Sequence, residues 1–216
     1  MRKSTMLTLF IGLVFLSSCS HSLKIQNLGE YYNSYSFNGK KVKIGLVMNT
    51  NTPVEERHAE EIAQSLRSTG NFDIIFPYNP SNSGKVDYVF EIAPKVVYDG
   101  SKWNFLISFP GFLVFAPAWN GYLYFANIDT EITIKKNNVV AKKTVIPFNL
   151  RVNQADFGRT WAVGLDWLVT IGVASLIGGF FFTSFDDDIQ GELFRTYVNQ
   201  YGKYIANKIS ADLSAL

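Results

Sequence analysis

The chain has 216 residues with 20 Lys+Arg against 18 Asp+Glu, a formal net charge of +2, and an aromatic share of 15% that includes 18 Phe. A duplex-binding protein needs a basic face that neutralises several phosphates, and so balanced a chain speaks against any nucleic-acid partner. A single cysteine excludes an intramolecular disulfide, and the aromatic content implies apolar surface turned towards lipid or another protein.

Arg2 and Lys3 precede an apolar run over residues 6–16, which Ser17, Ser18 and Cys19 follow. A positive start, an apolar stretch too short to cross a bilayer and small residues at its end make residues 1–18 an export signal. Leu16-Ser17-Ser18-Cys19 resembles the lipobox of bacterial lipoproteins, at which a dedicated peptidase cleaves before a cysteine that already carries a diacylglycerol thioether. The resemblance implies that Cys19 becomes the mature N-terminus and bears diacylglycerol plus an N-linked, palmitate-type acyl chain. One chain anchors reversibly, whereas three hold firmly at about 0.8 kcal/mol per buried methylene. The alternative is an ordinary secreted protein, but its lone thiol would then lack a purpose. Ser20 stands where an aspartate would suggest inner-membrane retention in enteric bacteria, so the outer membrane is favoured. Without Arg2 and Lys3 the mature chain carries 18 Lys+Arg against 18 Asp+Glu. Its lysines at 40, 41, 43, 135, 136, 142 and 143 fall on strand ends and turns, where they protect edges.

Residues 19–40 are polar and punctuated, and read as a tether whose Tyr31, Tyr32 and Tyr35 form a docking patch. Residues 41–216 read as a single α+β domain. Val42, Ile44, Leu46 and Met48 alternate on one face, the pattern of a half-buried strand. Thr52 then offers an N-cap, Pro53 the first helical position and Glu55 the capping-box partner. Ala59, Ile62, Ala63 and Leu66 form the apolar stripe of this helix, Glu55, Glu56, Glu60 and Glu61 face water, and Gly70 ends it. His58 among these glutamates would suit a metal, yet acidic residues near a helix N-terminus are stabilised by its dipole without one.

A second strand is expected over 72–76, ended by Pro77, and a third over 86–98, interrupted at Pro94. Asp99-Gly100 turns the chain into a strand at 103–107. Residues 121–135 and 139–152 form a hairpin about Lys136-Asn137-Asn138. Asp187 and Gln190 have cap spacing, and Leu193, Tyr197, Tyr201, Tyr204, Ile205, Ile209, Leu213 and Leu216 make the core-facing stripe of a terminal helix. The EF-hand spacing that would turn Asp186, Asp187 and Asp188 into a calcium site is absent. The order predicts an α+β fold, a mixed or antiparallel sheet with helices packed on one face, and a hydrophobic helical segment before the C-terminal helix.

That element order, with the phrases at 42–48, 71–77 and 86–92, resembles the small periplasmic domain shared by the penicillin-binding-protein activator LpoB, the curli-secretion lipoprotein CsgG and the N-terminal domain of TolB. The resemblance covers residues 41–152 and the last helix, implies fold and compartment, and carries over no functional residue.

Two apolar insertions depart from it. In residues 108–119, Pro110 and Pro117 exclude a continuous helix, which leaves a greasy loop at the membrane surface or a buried strand. Residues 161–185 contain the second, whose part at 167–185 carries no charge in nineteen positions. As a helix that part would reach about 28 Å, close to the hydrocarbon thickness. Trp161 and Trp167 lie where interfacial aromatics would, and Ala174 with Gly178 and Ser175 with Gly179 allow close helix packing. Shallow membrane insertion, a buried helix or hairpin, and a helix crossing within an oligomer all fit. The acidic 186–188 flank opposite Arg151 and Arg159 disfavours crossing.

Two histidines, His21 and His58, and no thiol beyond Cys19 leave little for catalysis, and no G-x-S-x-G, H-E-x-x-H or Walker-type loop occurs. The sequence therefore predicts a non-enzymatic cell-envelope lipoprotein without cofactor or metal, lipid-anchored and facing the periplasm. Its partners are membrane lipid and an envelope protein or its own copies. The alternative is an oligomeric transport or pore component in which residues 109–119 and 167–185 line a protomer interface.

Overall fold

The computed structural model describes residues 21–32, 41–79, 81, 85–108, 111, 116–156 and 187–215. The lipobox candidates Leu16, Ser17, Ser18 and Cys19, and the packing candidates Trp167, Ala174, Ser175, Gly178 and Gly179, lie outside them.

Six strands form one sheet: β1 (His21–Ile25), β2 (Val42–Met48), β3 (Phe72–Ile75), β4 (Tyr88–Gly100), β5 (Tyr122–Lys136) and β6 (Val139–Asp156), in the order β1-β6-β5-β4-β2-β3. β2 runs parallel to β3 and to β4, while β1 runs antiparallel to β6, so the sheet is mixed. Asn137 and Asn138, with φ of 51° and 63°, close the β5–β6 hairpin in two residues, the left-handed pair that a type I′ turn demands. Among the described residues four α-helices accompany the sheet: α1 (Pro53–Ser68), α2 (Asn104–Ser108), α3 (Ala116–Trp119) and α4 (Asp187–Ser214). The fold is α+β, and among the described residues no helix is long and apolar enough to cross a membrane.

The chain divides into two compact units built from interleaved segments. The first comprises Asn27–Val97, Ala126–Leu150 and Asp187–Leu216; the second comprises Met1–Gln26, Tyr98–Phe125 and Arg151–Asp186. In the first, α1 starts where the sequence places it: Thr52 accepts from the Glu55 amide and the Glu55 carboxylate accepts from the Thr52 amide, with Pro53 at the first position. Glu55 is buried by that capping role, so it does not face water as Glu56 and Glu60 do. Ala59, Ile62, Ala63 and Leu66 are buried, and a fully buried aliphatic side chain contributes roughly 1.5–3 kcal/mol. α4 supplies the other half of this layer with Leu193, Tyr197, Tyr201, Ile205 and Ile209. The two helices approach so closely at Gly202 that an added Cβ would lie 2.5 Å from Ser65 Oγ and 2.9 Å from the Glu61 carbonyl oxygen.

α4 seals the sheet. The Tyr201 hydroxyl lies 2.8 Å from Thr130 Oγ1 of β5, and its ring stacks edge-on against Phe148 of β6 at 5.3 Å. Along β5, Ile128, Thr130, Ile132 and Ile134 are buried while the alternate residues Asn127 and Asp129 are exposed.

β4 runs unbroken through Pro94, contrary to the interruption expected there. Its pairing with β2 ends at Ile92, whose carbonyl accepts from the Asn49 amide. The N–H that Pro94 lacks would point to the same side, beyond the last ladder bond, so no pairing is lost. Residues 103–107 likewise do not form the expected strand; α2 stands there.

Candidate functional site

The stretch expected to be a tether carries ordered structure from His21 onward. β1 pairs with the end of β6, His21 opposite Asp156 and Ile25 opposite Val152. Where β1 stops, the open edge of β6 is capped by side chains of the first unit. Asn27 Nδ2 and the Tyr31 hydroxyl both donate to the Asn149 carbonyl at 2.8 Å, and the Asn149 amide donates back to the Tyr31 oxygen. The Tyr31 ring lies 4.1 Å from Phe148 and 5.0 Å from Tyr204, and Gln200 donates to its carbonyl at 2.6 Å. Burial pushes the Tyr31 phenol up, against the opposing hydrogen bond from Asn149. Of the predicted docking patch, Tyr31 thus packs on the body, Tyr32 stays 68% exposed, and Tyr35 lies outside the described residues.

In the second unit, four strand termini meet at one end of the sheet. β1 starts there and β6 ends there. β5 starts there too: Gly121 backs so tightly on the Gln154 carbonyl that an added Cβ would come within 2.6 Å of it. β4 ends there, since the Ser101 amide donates to the Leu123 carbonyl. At that point the ladder is continued by a side chain. Asn104 is 1% exposed; its Nδ2 donates to the Leu123 carbonyl at 2.9 Å and its Oδ1 accepts from the Leu123 amide at 2.8 Å. Asn104 therefore takes the place of a strand residue and fixes α2 to β5.

This arrangement exposes apolar side chains. Ser101 accepts from the amides of Trp103 and Asn104, through Oγ and its carbonyl, and opens α2. α3 ends with the Asn120 and Gly121 amides both donating to the Ala116 carbonyl, Gly121 at φ +72° in the left-handed conformation of a helix C-cap. Gly111 lies between, where a Cβ would fall 2.6 Å from the Leu106 carbonyl oxygen and 3.0 Å from Ala116 Cβ, which brings the two short helices together. Trp103 is 70% exposed, Leu106 44% and Trp119 69%.

His58, on the helix where a metal had to be weighed, is fully buried, donates from Nδ1 to the Val54 carbonyl and accepts at Nε2 from the Tyr197 hydroxyl, each at 2.6 Å. Burial holds its pKa at about 4, against the raising effects of the Val54 carbonyl and Glu55. A base beside a hydroxyl could serve catalysis, but neither residue exposes surface to a substrate. Lys135 pairs with Glu91, Lys142 with Asp212 and Lys143 with Glu131. The Lys143 hydrogen bond holds the Glu131 carboxyl below its usual range. A shallow cleft lined by Tyr78, Asp87, Tyr88, Lys135 and Asn137 is similarly engaged: Asp87 accepts from the Lys43 amide, and Lys136 lies over the Tyr88 ring. Among the described residues no three His, Cys, Asp or Glu side chains come together as metal ligands. The roles of Asn104 and Tyr197 were invisible in sequence, because their partners are 19 and 139 positions away.

No protein-family model and no curated protein matches the sequence. Among solved structures the chain is similar to a minor lipoprotein from Acinetobacter baumannii, at 11% identity and a TM-score of 0.44, covering 80% of this chain and 92% of that one. It is also similar to the rare lipoprotein B from Shewanella oneidensis, at 11% identity and a TM-score of 0.31, covering 73% of this chain and 97% of that one.

Proposed function

We propose that the protein is a non-enzymatic lipoprotein of the bacterial cell envelope, anchored through lipidated Cys19 on the periplasmic side of the outer membrane. Its α+β body binds another envelope protein or further copies of itself. The observation that supports this reading most is the position of β1, whose first residue, His21, stands two positions after Cys19 and is already paired with Asp156. An anchor placed there is coupled directly to the folded body, as suits a component that presents a surface at a fixed height above a membrane.

Labelled fatty acid in intact cells tests the anchor. Cys19→Ala should abolish incorporation and leave the signal uncleaved, and normal labelling of that variant would remove the reading. Crosslinking in the same cells, followed by sizing in mild detergent, identifies the partner. A monomer bound to a second protein supports an adaptor, and a ring-sized homo-oligomer supports the transport or pore alternative.

A further inference from the structure

We infer that the end of the sheet where β1 begins faces the phospholipid bilayer, and that Trp103, Leu106 and Trp119 rest in its interfacial layer. The inference builds on the reading of Cys19 as the anchor and adds an orientation and a second, non-covalent lipid contact. It follows from reach. Two residues of extended chain span at most about 7 Å, so His21 lies no further than that from the Cα of Cys19. From His21 the sheet passes β6 and β5 to β4, three strand spacings of about 4.8 Å, or roughly 14 Å, before Ser101 leads into α2. The chain returns through α3 to Gly121 at the same end. All of this lies in the second unit, so the anchor point and the two short helices share one compact body.

A body tethered within about 7 Å of lipid cannot lift this end far from the headgroups. Two tryptophans and a leucine exposed to water there would be an unexplained cost for a monomer. Beside a membrane they are well placed, because the indole ring combines an apolar body with an N–H that headgroups and water can satisfy. The backbone that carries Trp103 and Leu106 is held in place, because Asn104 is locked to both backbone groups of Leu123.

The test uses the full-length lipidated protein reconstituted into vesicles of phosphatidylethanolamine and phosphatidylglycerol. Trp161→Phe and Trp167→Phe leave Trp103 and Trp119 as the emitting residues, and circular dichroism at far-UV wavelengths checks the fold. Lipids brominated near the headgroup end of their acyl chains should quench most of the emission and shift it to the blue, and aqueous acrylamide should quench little. Adding Trp103→Phe or Trp119→Phe should each remove part of the bromolipid-sensitive signal. If fatty-acid labelling shows Cys19 lipidated while both tryptophans stay open to acrylamide and untouched by bromolipid, the inference falls and the anchor reading survives. If Cys19 carries no lipid yet the tryptophans are quenched by bromolipid, the contact stands and the anchor reading falls. Neither labelling nor quenching overturns both.

Discussion

Histidine 58 gives the protein a pH dependence whose sign and size follow from its site. The ring is neutral in the folded state, wedged between the Val54 carbonyl and the Tyr197 hydroxyl, with the rings of Phe194 and Tyr201 at 5.0 and 5.1 Å. Its folded pKa is lowered from 6.5 to about 4. Above pH 6.5 both folded and unfolded chains carry it neutral, and it adds no pH dependence. Between 6.5 and 4 the unfolded chain takes up a proton that the folded chain refuses, so stability falls as the pH drops through that window. At 1.36 kcal/mol per pH unit the loss from pH 7 to pH 4 is about 3 kcal/mol, a large share of a typical 5–15 kcal/mol. His58→Phe keeps the aromatic volume and cannot titrate, but it removes the hydrogen bond between Nε2 and the Tyr197 hydroxyl, at about 0.5–1.5 kcal/mol. Wild type should therefore be the more stable protein at neutral pH and should lose that lead by pH 4, because other titrating groups cancel in the difference. Urea denaturation of both proteins at pH 7, 6, 5 and 4.5 measures it. A stability gap that stays constant across this range would refute the buried, neutral histidine.

Three further substitutions probe the two units. Gly202→Ala places a Cβ against Ser65 and the Glu61 backbone and should cost about 1–3 kcal/mol by forcing α1 and α4 apart, read as a lowered urea midpoint. Ile209→Ala removes a side chain 1% exposed near the end of α4 and should cost about 2–5 kcal/mol in a thermal melt; an unchanged midpoint would mean that this end of the helix contributes nothing to the core. Asn104→Ala strips the acceptor from the Leu123 amide, while the Leu123 carbonyl keeps the Ser101 amide, at about 1–3 kcal/mol for the one group left unpaired, and hydrogen exchange should show the Leu123 amide opening while α4 amides keep their protection.

Legibility in the sequence followed the range of the interactions. The capping box at Thr52 and Glu55, the alternation through Ile128, Thr130, Ile132 and Ile134, and the stripe from Leu193 to Leu213 depend on neighbours within a few residues, and each appears in the structure as read. β1 escaped notice because its burial shows no alternation, only half-covered residues between exposed ones. Its strand character comes from hydrogen bonds to β6, more than a hundred residues away. Trp103-Asn104-Phe105-Leu106-Ile107 has the composition of a strand, and its first residues do occupy the next rung of the ladder, but through the Asn104 side chain while the backbone coils into α2. The burial of His58 is not legible among its neighbouring glutamates, because the hydroxyl that satisfies it lies on a helix 139 positions later.

The long hairpin links these local and distant determinants. β5 and β6 span 15 and 18 residues, so a single register sets every pair along them. A slip of one residue would turn Ile128, Ile132, Phe148 and Leu150 to water and bring Asp129, Glu131 and Lys143 inward. The register is fixed at both ends by backbone constraints that tolerate no such slip. At the closed end, Asn137 and Asn138 supply the two left-handed residues of the turn. At the open end, Gly121 meets the Gln154 carbonyl at a distance where any side chain would collide. Between them, the Thr130 hydroxyl and the Phe148 ring accept Tyr201 in one alignment only.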